Sequence, residues 1–490
     1  MSDTSFLPEP TLGDAPQNAL HERYASREMA ALFSPRYRYL TWRRLWIALA
    51  ESQRELGLPY TERQIEVLKA VAPQLDLQRV AEIEAKTRHD VVAHVTHFKE
   101  QADALDPGSG AGGILHAGAT SAFITDNTDA LLIRQALDLL EGRLAATLHH
   151  LGAFARRWAH LPCLAYTHFQ PAQLTTVGKR ASLWAQDWME DLRALQGLRR
   201  RWRCRGAKGT TGTQASYLTL FDGDDDKVRA LDQAIARRLG FSESFPLTGQ
   251  TYPRKQDSQA LAVLAGLGES AHKMGTDLRL LQGVGELSEP FGKSQVGSSA
   301  MAYKRNPVRA ERMCALARRL ITDSLNGPLT AAVNWLERSL DDSANRRLVV
   351  PDAFLCADAV VGLAGYIAEG LTVRESTISA RVERELPFMA TETLLMRGVL
   401  QGGDRQVLHE VIRVASLEAQ ERLAAGGENS LIATLADHPD FPLSRQEIED
   451  AIDPSAFIGR SPEQVEDFWT QHLEPALQGI TLRGASAPRV

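Results

Sequence analysis

Residues 297–307 read G-S-S-A-M-A-Y-K-R-N-P, and they gather groups suited to handling an anion. Gly292 and Gly297 free the backbone ahead of two hydroxyls, Ser298 and Ser299. Lys304 and Arg305 add positive charge, and Asn306-Pro307 predicts an N-cap followed by a first-turn proline. A helix starting there would aim its positive dipole end back at the loop. Such a loop could close over an anion, although the same residues also fit an ordinary inter-helix connection. A second stretch, T-H-F-Q-P-A-Q at 167–173, sets His168 between Pro162 and Pro171, just ahead of a long helical pattern. Imidazole exchanges protons near neutral pH, which suits a general acid; a lone histidine there also fits a cap or a surface residue. R-H-D at 88–90 and E-R-S-L-D-D-S-A-N-R-R at 337–347 offer arginines for bidentate contact with phosphate or carboxylate. The spacing of Arg338, Ser343 and Arg347 predicts a loop or helix end, and either cluster could equally be a solvated surface. His94 and His97 share a helix face, but no H-E-x-x-H accompanies them and no metal site is assigned.

These groups must be positioned by helices. Apolar residues Ile133, Leu137, Leu140, Leu144, Leu148, Leu151, Ala155 and Trp158 recur at spacings of three and four, and the rhythm returns from Leu174 to Trp202. Residues 257–286, 307–325 and 351–370 add three more such stretches, so a bundle of five long helices is expected. Residues 41–57, 61–71 and 80–98 read as N-terminal helices, the last carrying R-H-D. Residues 101–113 read as a linker or surface loop, and 209–216 (G-T-T-G-T-Q-A-S) as a glycine-permitted turn. Beyond residue 372 shorter helices are broken at Pro387, Gly402-Gly403, Gly426-Gly427 and 439–442. No stretch shows the alternation a central sheet needs. K-G-T at 208–210 reverses the order of a phosphate-binding loop.

A chain of 490 residues is too long for one core, and the pattern divides it at 1–120, 121–372 and 373–490, with 1–20 a mobile tail. A net charge of −6 argues against a general nucleic-acid binder or a binder of anionic membranes. The four cysteines are scattered without a C-x-x-C, and no run of about 18 apolar residues occurs, so a reducing cytoplasm is expected.

The loop at 297–307 resembles G-S-S-x-M-P-x-K-x-N-P, the signature of the fumarase/aspartase superfamily, whose members eliminate fumarate from succinyl compounds. It departs only at Ala302, where proline is usual, which loosens the loop without adding a competing group. The likeness runs from about Arg23 to the last helices and narrows to the branch acting on succinylated purine nucleotides. It implies an all-α, three-part fold built on a central long-helix bundle. It also implies a homotetramer in which each site takes residues from three chains, and chemistry without a metal or organic cofactor.

The residue roles it implies are as follows. His168 donates a proton to the leaving nitrogen, and Ser298 is the base, with Ser299 the fallback. Lys304 and Asn306 belong to the closing loop. Arg88, His89 and Asp90 serve phosphate binding, with His89 assisting catalysis. Thr120 and Ser121 hold succinyl carboxylates, Gln250 is an amide contact, and Arg312 is a carboxylate-side arginine. Arg23, Tyr24, Arg338, Ser343 and Arg347 lie on the phosphate and ribose side. Glu311 orients His168. Argininosuccinate lyase, aspartase and a catalytically silent protein on the same fold remain the rivals. The two arginine clusters favour a phosphorylated substrate.

Overall fold

The computed structural model describes residues 18–484 apart from 293, 294, 296, 298, 299 and 302. After a helical turn at Leu20–Tyr24 and a short helix at Arg27–Leu32 come four N-terminal helices: α1 (Pro35–Glu55), α2 (Glu62–Val71), α3 (Leu77–Thr87) and α4 (Asp90–Leu105). The central bundle comprises α5 (Ser121–Arg157), α6 (Val177–Arg200), α7 (Lys255–Gly283), α8 (Val308–Asp323) and α10 (Asp341–Gly370), with the short α9 (Asn326–Val333) before α10. Then follow α11 (Glu375–Met389), α12 (Thr391–Leu400) and α13 (Arg405–Ala424). The five bundle helices are the five that the apolar stripes predict, and their stripes merge into one core from Leu137 through Trp188, Leu264 and Phe354 to Ile367.

A second apolar cluster joins Trp42, Trp46, Leu68 and Phe98 of the N-terminal helices to Tyr217, Leu231 and Ile235. A third gathers Leu394, Leu408, Leu431 and Ile448. By length and composition α10 could cross a membrane, its most apolar window having a mean hydropathy of 1.7, but 78 % of that window is buried inside the protein, as in a core helix.

Two antiparallel pairings punctuate the helices. β1 (Pro162–Thr167) and β2 (Gln170–Thr176) form a hairpin, and β3 (Leu287–Ser288) pairs with β4 (Thr372–Val373). Among the described residues there is no central sheet, and the hairpin lies where only a connection was expected. Its turn has none of the usual Asn or Gly signals, and a register slip between Ala165 and Tyr166 spoils the alternation.

Other boundaries differ from the sequence reading. The stretch 80–98 is two helices, because Arg88 turns left-handed (φ 54°) and ends α3. α10 begins at Asp341, with Pro351 inside it, and Pro387 lies inside α11 rather than ending it. Residues 101–105 continue α4, and Ala111–Ile114 form a 3-10 turn with Ala111 buried, so 101–113 is only partly a loop.

The direction of the bundle follows from its ion pairs. Arg254, at the head of α7, bonds Asp126 near the start of α5 and Asp342 at the start of α10. Those three helices therefore run in the same direction. At the other end, past the end of α7, Glu286 bonds Tyr166 of the hairpin. With 29 residues in α7, the two ends stand about 40 Å apart.

Candidate active site

At the first end of the bundle, five stretches remote in sequence converge. Arg88 closes α3, and the left-handed turn it makes hands the chain to His89, whose Nδ1 caps α4 by accepting from the Val92 N–H at 3.4 Å. His89 Nε2 lies 3.4 Å from Ser121 Oγ in the first turn of α5. Thr120 is the N-cap position of that helix and spends no side-chain oxygen on capping, so its hydroxyl remains available beside free helix amides. Arg347 donates to Asp90 at 3.4 Å, which ties 337–347 to R-H-D. The Gln250 N–H donates to the Glu337 carbonyl at 2.8 Å, next to Arg338. A Cβ on Gly212 (φ +83°) would stand 1.8 Å from the Thr248 carbonyl, so only glycine lets 209–216 lie against 248–250. Arg88, His89 and Arg347 are exposed, and Ser121, Gln250, Arg338 and Ser343 are half-buried, an arrangement open to a ligand.

A buried charge network underlies this surface. Arg346, one residue before exposed Arg347, bonds Asp257 at 2.6 Å, Asp129 at 3.1 Å and the Tyr252 hydroxyl at 2.8 Å. Tyr252 in turn donates to Asp257 at 2.6 Å. With Arg254, Asp126 and Asp342 this network clamps the starts of α5, α7 and α10, and so fixes Thr120, Ser121, Gln250 and Ser343 relative to one another. These residues were not singled out from the sequence. Charged pairs far apart in the chain leave no local signal, although D-D-S-A-N-R-R holds two of the network residues, Asp342 and Arg346. His116 is another residue not singled out: the Trp46 indole donates to its Nδ1 at 2.9 Å, and burial, then His89, pushes it down to about 4.

Midway along the bundle a cavity of about 450 Å³ holds Arg23, Tyr24 and Arg312 together, with Arg143 and Asp358 in its wall. The Arg312 guanidinium stands 5.8 Å over the Tyr24 ring. Arg143 pairs with Asp358 at 2.9 Å and with Glu28 at 2.8 Å.

At the far end, His168 and Phe169 form the hairpin tip, both left-handed (φ 54° and 59°). Two consecutive non-glycine residues in that region cost about 1–2 kcal/mol each, strain of the kind that marks functional positions. His168 is exposed at this tip, not beside a helix N-terminus as its prolines suggested, since α6 starts only at Val177. No hydrogen bond links it to Glu311 within this chain.

The signature loop departs from the sequence reading at its helix. Asn306 does not cap α8; its amide donates to the Gly297 carbonyl at 3.0 Å and closes the base of the loop. The cap is the Glu289 carboxylate, which accepts from the Arg309 and Ala310 N–H groups at 2.9–3.1 Å. Burial raises the Glu289 pKa despite those bonds. The dipole end of α8 is therefore engaged by a carboxylate of its own chain. Lys304 is exposed, and Ser298, Ser299 and Ala302 lie outside the described residues.

His94 and His97 serve packing and local bonding: His94 lies against the Tyr39 and Trp42 rings, and His97 Nε2 accepts from the Asp76 N–H at 3.3 Å.

Comparison with known proteins places this arrangement. Residues 26–322 match a lyase family, and residues 387–468 match the adenylosuccinate lyase C-terminus. The adenylosuccinate lyase of Saccharomyces cerevisiae is 48 % identical over 463 residues, 94 % of this chain and 95 % of its own. That of Schizosaccharomyces pombe is 45 % identical over 464 residues, with the same coverage. The chain belongs to the adenylosuccinate lyase family. A solved structure of a 3-carboxy-cis,cis-muconate lactonizing enzyme from Pseudomonas putida superposes with a TM-score of 0.81 at 23 % identity, over 95 % of this chain and all of its own. At that identity the likeness speaks for the fold, which is shared over 95 % of this chain.

Proposed function

We propose that the protein is a carbon–nitrogen lyase that removes fumarate from adenylosuccinate, giving AMP, and from the corresponding succinylaminoimidazole-carboxamide ribotide. The observation that carries this reading is the convergence of R-H-D, Thr120-Ser121, Gln250 and 337–347 on one surface. A substrate with one phosphate and two carboxylates needs several arginines and hydroxyls in one place, and the surface supplies them.

In the reaction a base takes a proton from the carbon next to a carboxylate. The electron pair passes through an enediolate, which cations and N–H donors stabilise. It then forms the C=C bond of fumarate as the C–N bond breaks, and an acid protonates the departing nitrogen. His168 is the acid in this scheme, and Ser298 is the base, lowered toward its alkoxide in a closed site where Lys304 supplies charge. Arg88, Arg338, Ser343 and Arg347 hold the phosphate side, with Arg23 and Tyr24, and Asp90 serves there through its bond to Arg347. Thr120, Ser121, Asn306 and Arg312 hold the carboxylates, and His89 assists.

His168 and His89 lie at opposite ends of a bundle about 40 Å long, farther apart than one nucleotide can span. A complete site therefore requires another copy of the chain, packed so that its far end meets this chain's near end. A homotetramer with shared sites satisfies this requirement. Trp335, Leu336 and Leu340, exposed together after α9, supply apolar surface for such packing. The site is expected to act in the cytoplasm.

The test is the ultraviolet absorbance change of adenylosuccinate on adding purified protein, with argininosuccinate and aspartate as controls. Loss of the adenylosuccinate signal with fumarate released supports the reading. Turnover of a control in its place assigns the chain to another activity on this fold.

A further inference from the structure

The left-handed tip that carries His168 needs something to hold it, and the residue that does so is Tyr166. At the register slip between Ala165 and Tyr166 the facing strand carries the extra residue, Ala172, while Tyr166 itself pairs with Pro171 and its hydroxyl reaches the bundle. Its hydroxyl donates to Glu286 Oε1 at 2.8 Å and accepts from Arg381 Nη2 at 3.0 Å. Arg381 Nε also donates to Glu286 Oε1, at 3.0 Å. The ring stacks on Phe169, the second tip residue, at 5.4 Å, and the Arg180 guanidinium stands 5.8 Å over it.

Glu286 is 1 % exposed, and Arg180 lies 3.5 Å from its Oε2, so two arginines offset its buried charge. The β3–β4 pairing brings these groups together. Glu286 directly precedes β3, its carbonyl accepts from the Arg374 N–H at 3.0 Å just past β4, and Arg381 lies two turns into α11. Tyr166 is therefore bonded at its hydroxyl to the end of α7 and to α11, and at its ring to the turn itself.

We propose that Tyr166, held by Glu286 and Arg381, is a positioning residue that fixes where the His168 imidazole points, so that α11 takes part in proton delivery. This rests on His168 being the acid of the proposed reaction. A side chain at the tip of a two-residue turn swings through several ångströms for a small rotation of the hairpin, and proton transfer tolerates little of that.

The test measures kcat, KM and Tm for Tyr166→Phe, Arg381→Gln, Arg381→Lys and His168→Ala in the full-length enzyme. Tyr166→Phe keeps the ring and its stacking but removes both hydroxyl bonds. Its kcat is expected to fall roughly tenfold or more, with KM within about twofold and Tm within a few degrees. Arg381→Gln is expected to follow it, and Arg381→Lys to recover part of the loss by keeping the charge. A Tyr166→Phe kcat within about twofold of the parent, or a kcat loss that only follows a fall in Tm, overturns the proposal. Should Tyr166→Phe not fold, Arg381→Gln, on a side chain 35 % exposed, decides by the same criteria. Near-normal turnover of His168→Ala would instead sink the role of His168, leaving its positioning without an object.

Discussion

The two ends of the bundle hold their chemical groups in opposite ways. At the near end Arg254 and Arg346 sit 3 % and 9 % exposed among the carboxylates Asp126, Asp129, Asp257 and Asp342, and the ligand-facing residues lie on top of that locked layer. At the far end His168 rides on a hairpin tip that stands out from the bundle, and Lys304 rides on a loop tied at its base by Asn306. The near end is a finished surface within one chain. On the proposed reading, the far end presents its exposed groups outward to another copy of the chain. On that reading rigidity is concentrated where the polyanion is gripped, and reach where the proton is delivered.

The largest expected effect comes from breaking the near-end layer. Arg346→Met leaves Asp257 buried without its cation, while Asp129 keeps Arg38, and this should cost about 3–5 kcal/mol and lower Tm strongly in a thermal melt. A matching loss at the far end, where Arg381 is partly solvated, should be far smaller. Equal costs would remove the contrast.

Acid should also find the near end first. Burial pushes His94 and His116 down to about 4, and each sits in the aromatic packing of α1 and α4. Both are neutral when folded, while the unfolded chain takes up protons near pH 6.5. Stability is therefore kept above pH 6.5 and lost as pH falls toward 4, by up to about 3 kcal/mol per imidazole. Urea melts at pH 7 and pH 5 should show the loss, and His94→Phe should shrink it. An unchanged difference in that variant would place the acid sensitivity elsewhere.

The smallest effect sharpens the comparison. Arg88 occupies a left-handed helix end where glycine is favoured, so Arg88→Gly should gain about 1 kcal/mol in stability. The same change should weaken substrate binding, read as a raised KM with kcat less affected. A variant both more stable and fully active would mean that the strain at Arg88 serves no ligand.

Much of this architecture was legible in the chain. The stripes on α5, α6 and α7 are long enough that helical periodicity alone identifies them, and the signature loop, R-H-D and 337–347 point to anion handling through their residue types. What stayed hidden depends on distance in space. Arg346 and Arg347 are neighbours in sequence, yet one is buried in the network and the other is exposed beside Asp90. The helix cap at 308 comes from Glu289 and not from the adjacent Asn306. The turn at His168 and Phe169 carries no Gly or Asn, and the contacts beside it, Tyr166 on Phe169 and on Glu286, come from the ring and from a residue remote in sequence. The hydroxyls of Ser298 and Ser299 lie outside the described residues, so their placement rests on the signature alone.

The central claim is that a working site joins the near end of one chain to the far end of another. Its most direct test mixes two variants, His89→Ala and His168→Ala, each expected to be nearly inactive alone, by co-expression with distinguishable tags. The account predicts that purified mixed assemblies regain a substantial fraction of parental turnover of adenylosuccinate, because some sites then draw both intact residues from different chains. Mixed assemblies verified by both tags that stay as inactive as their parents would contradict it.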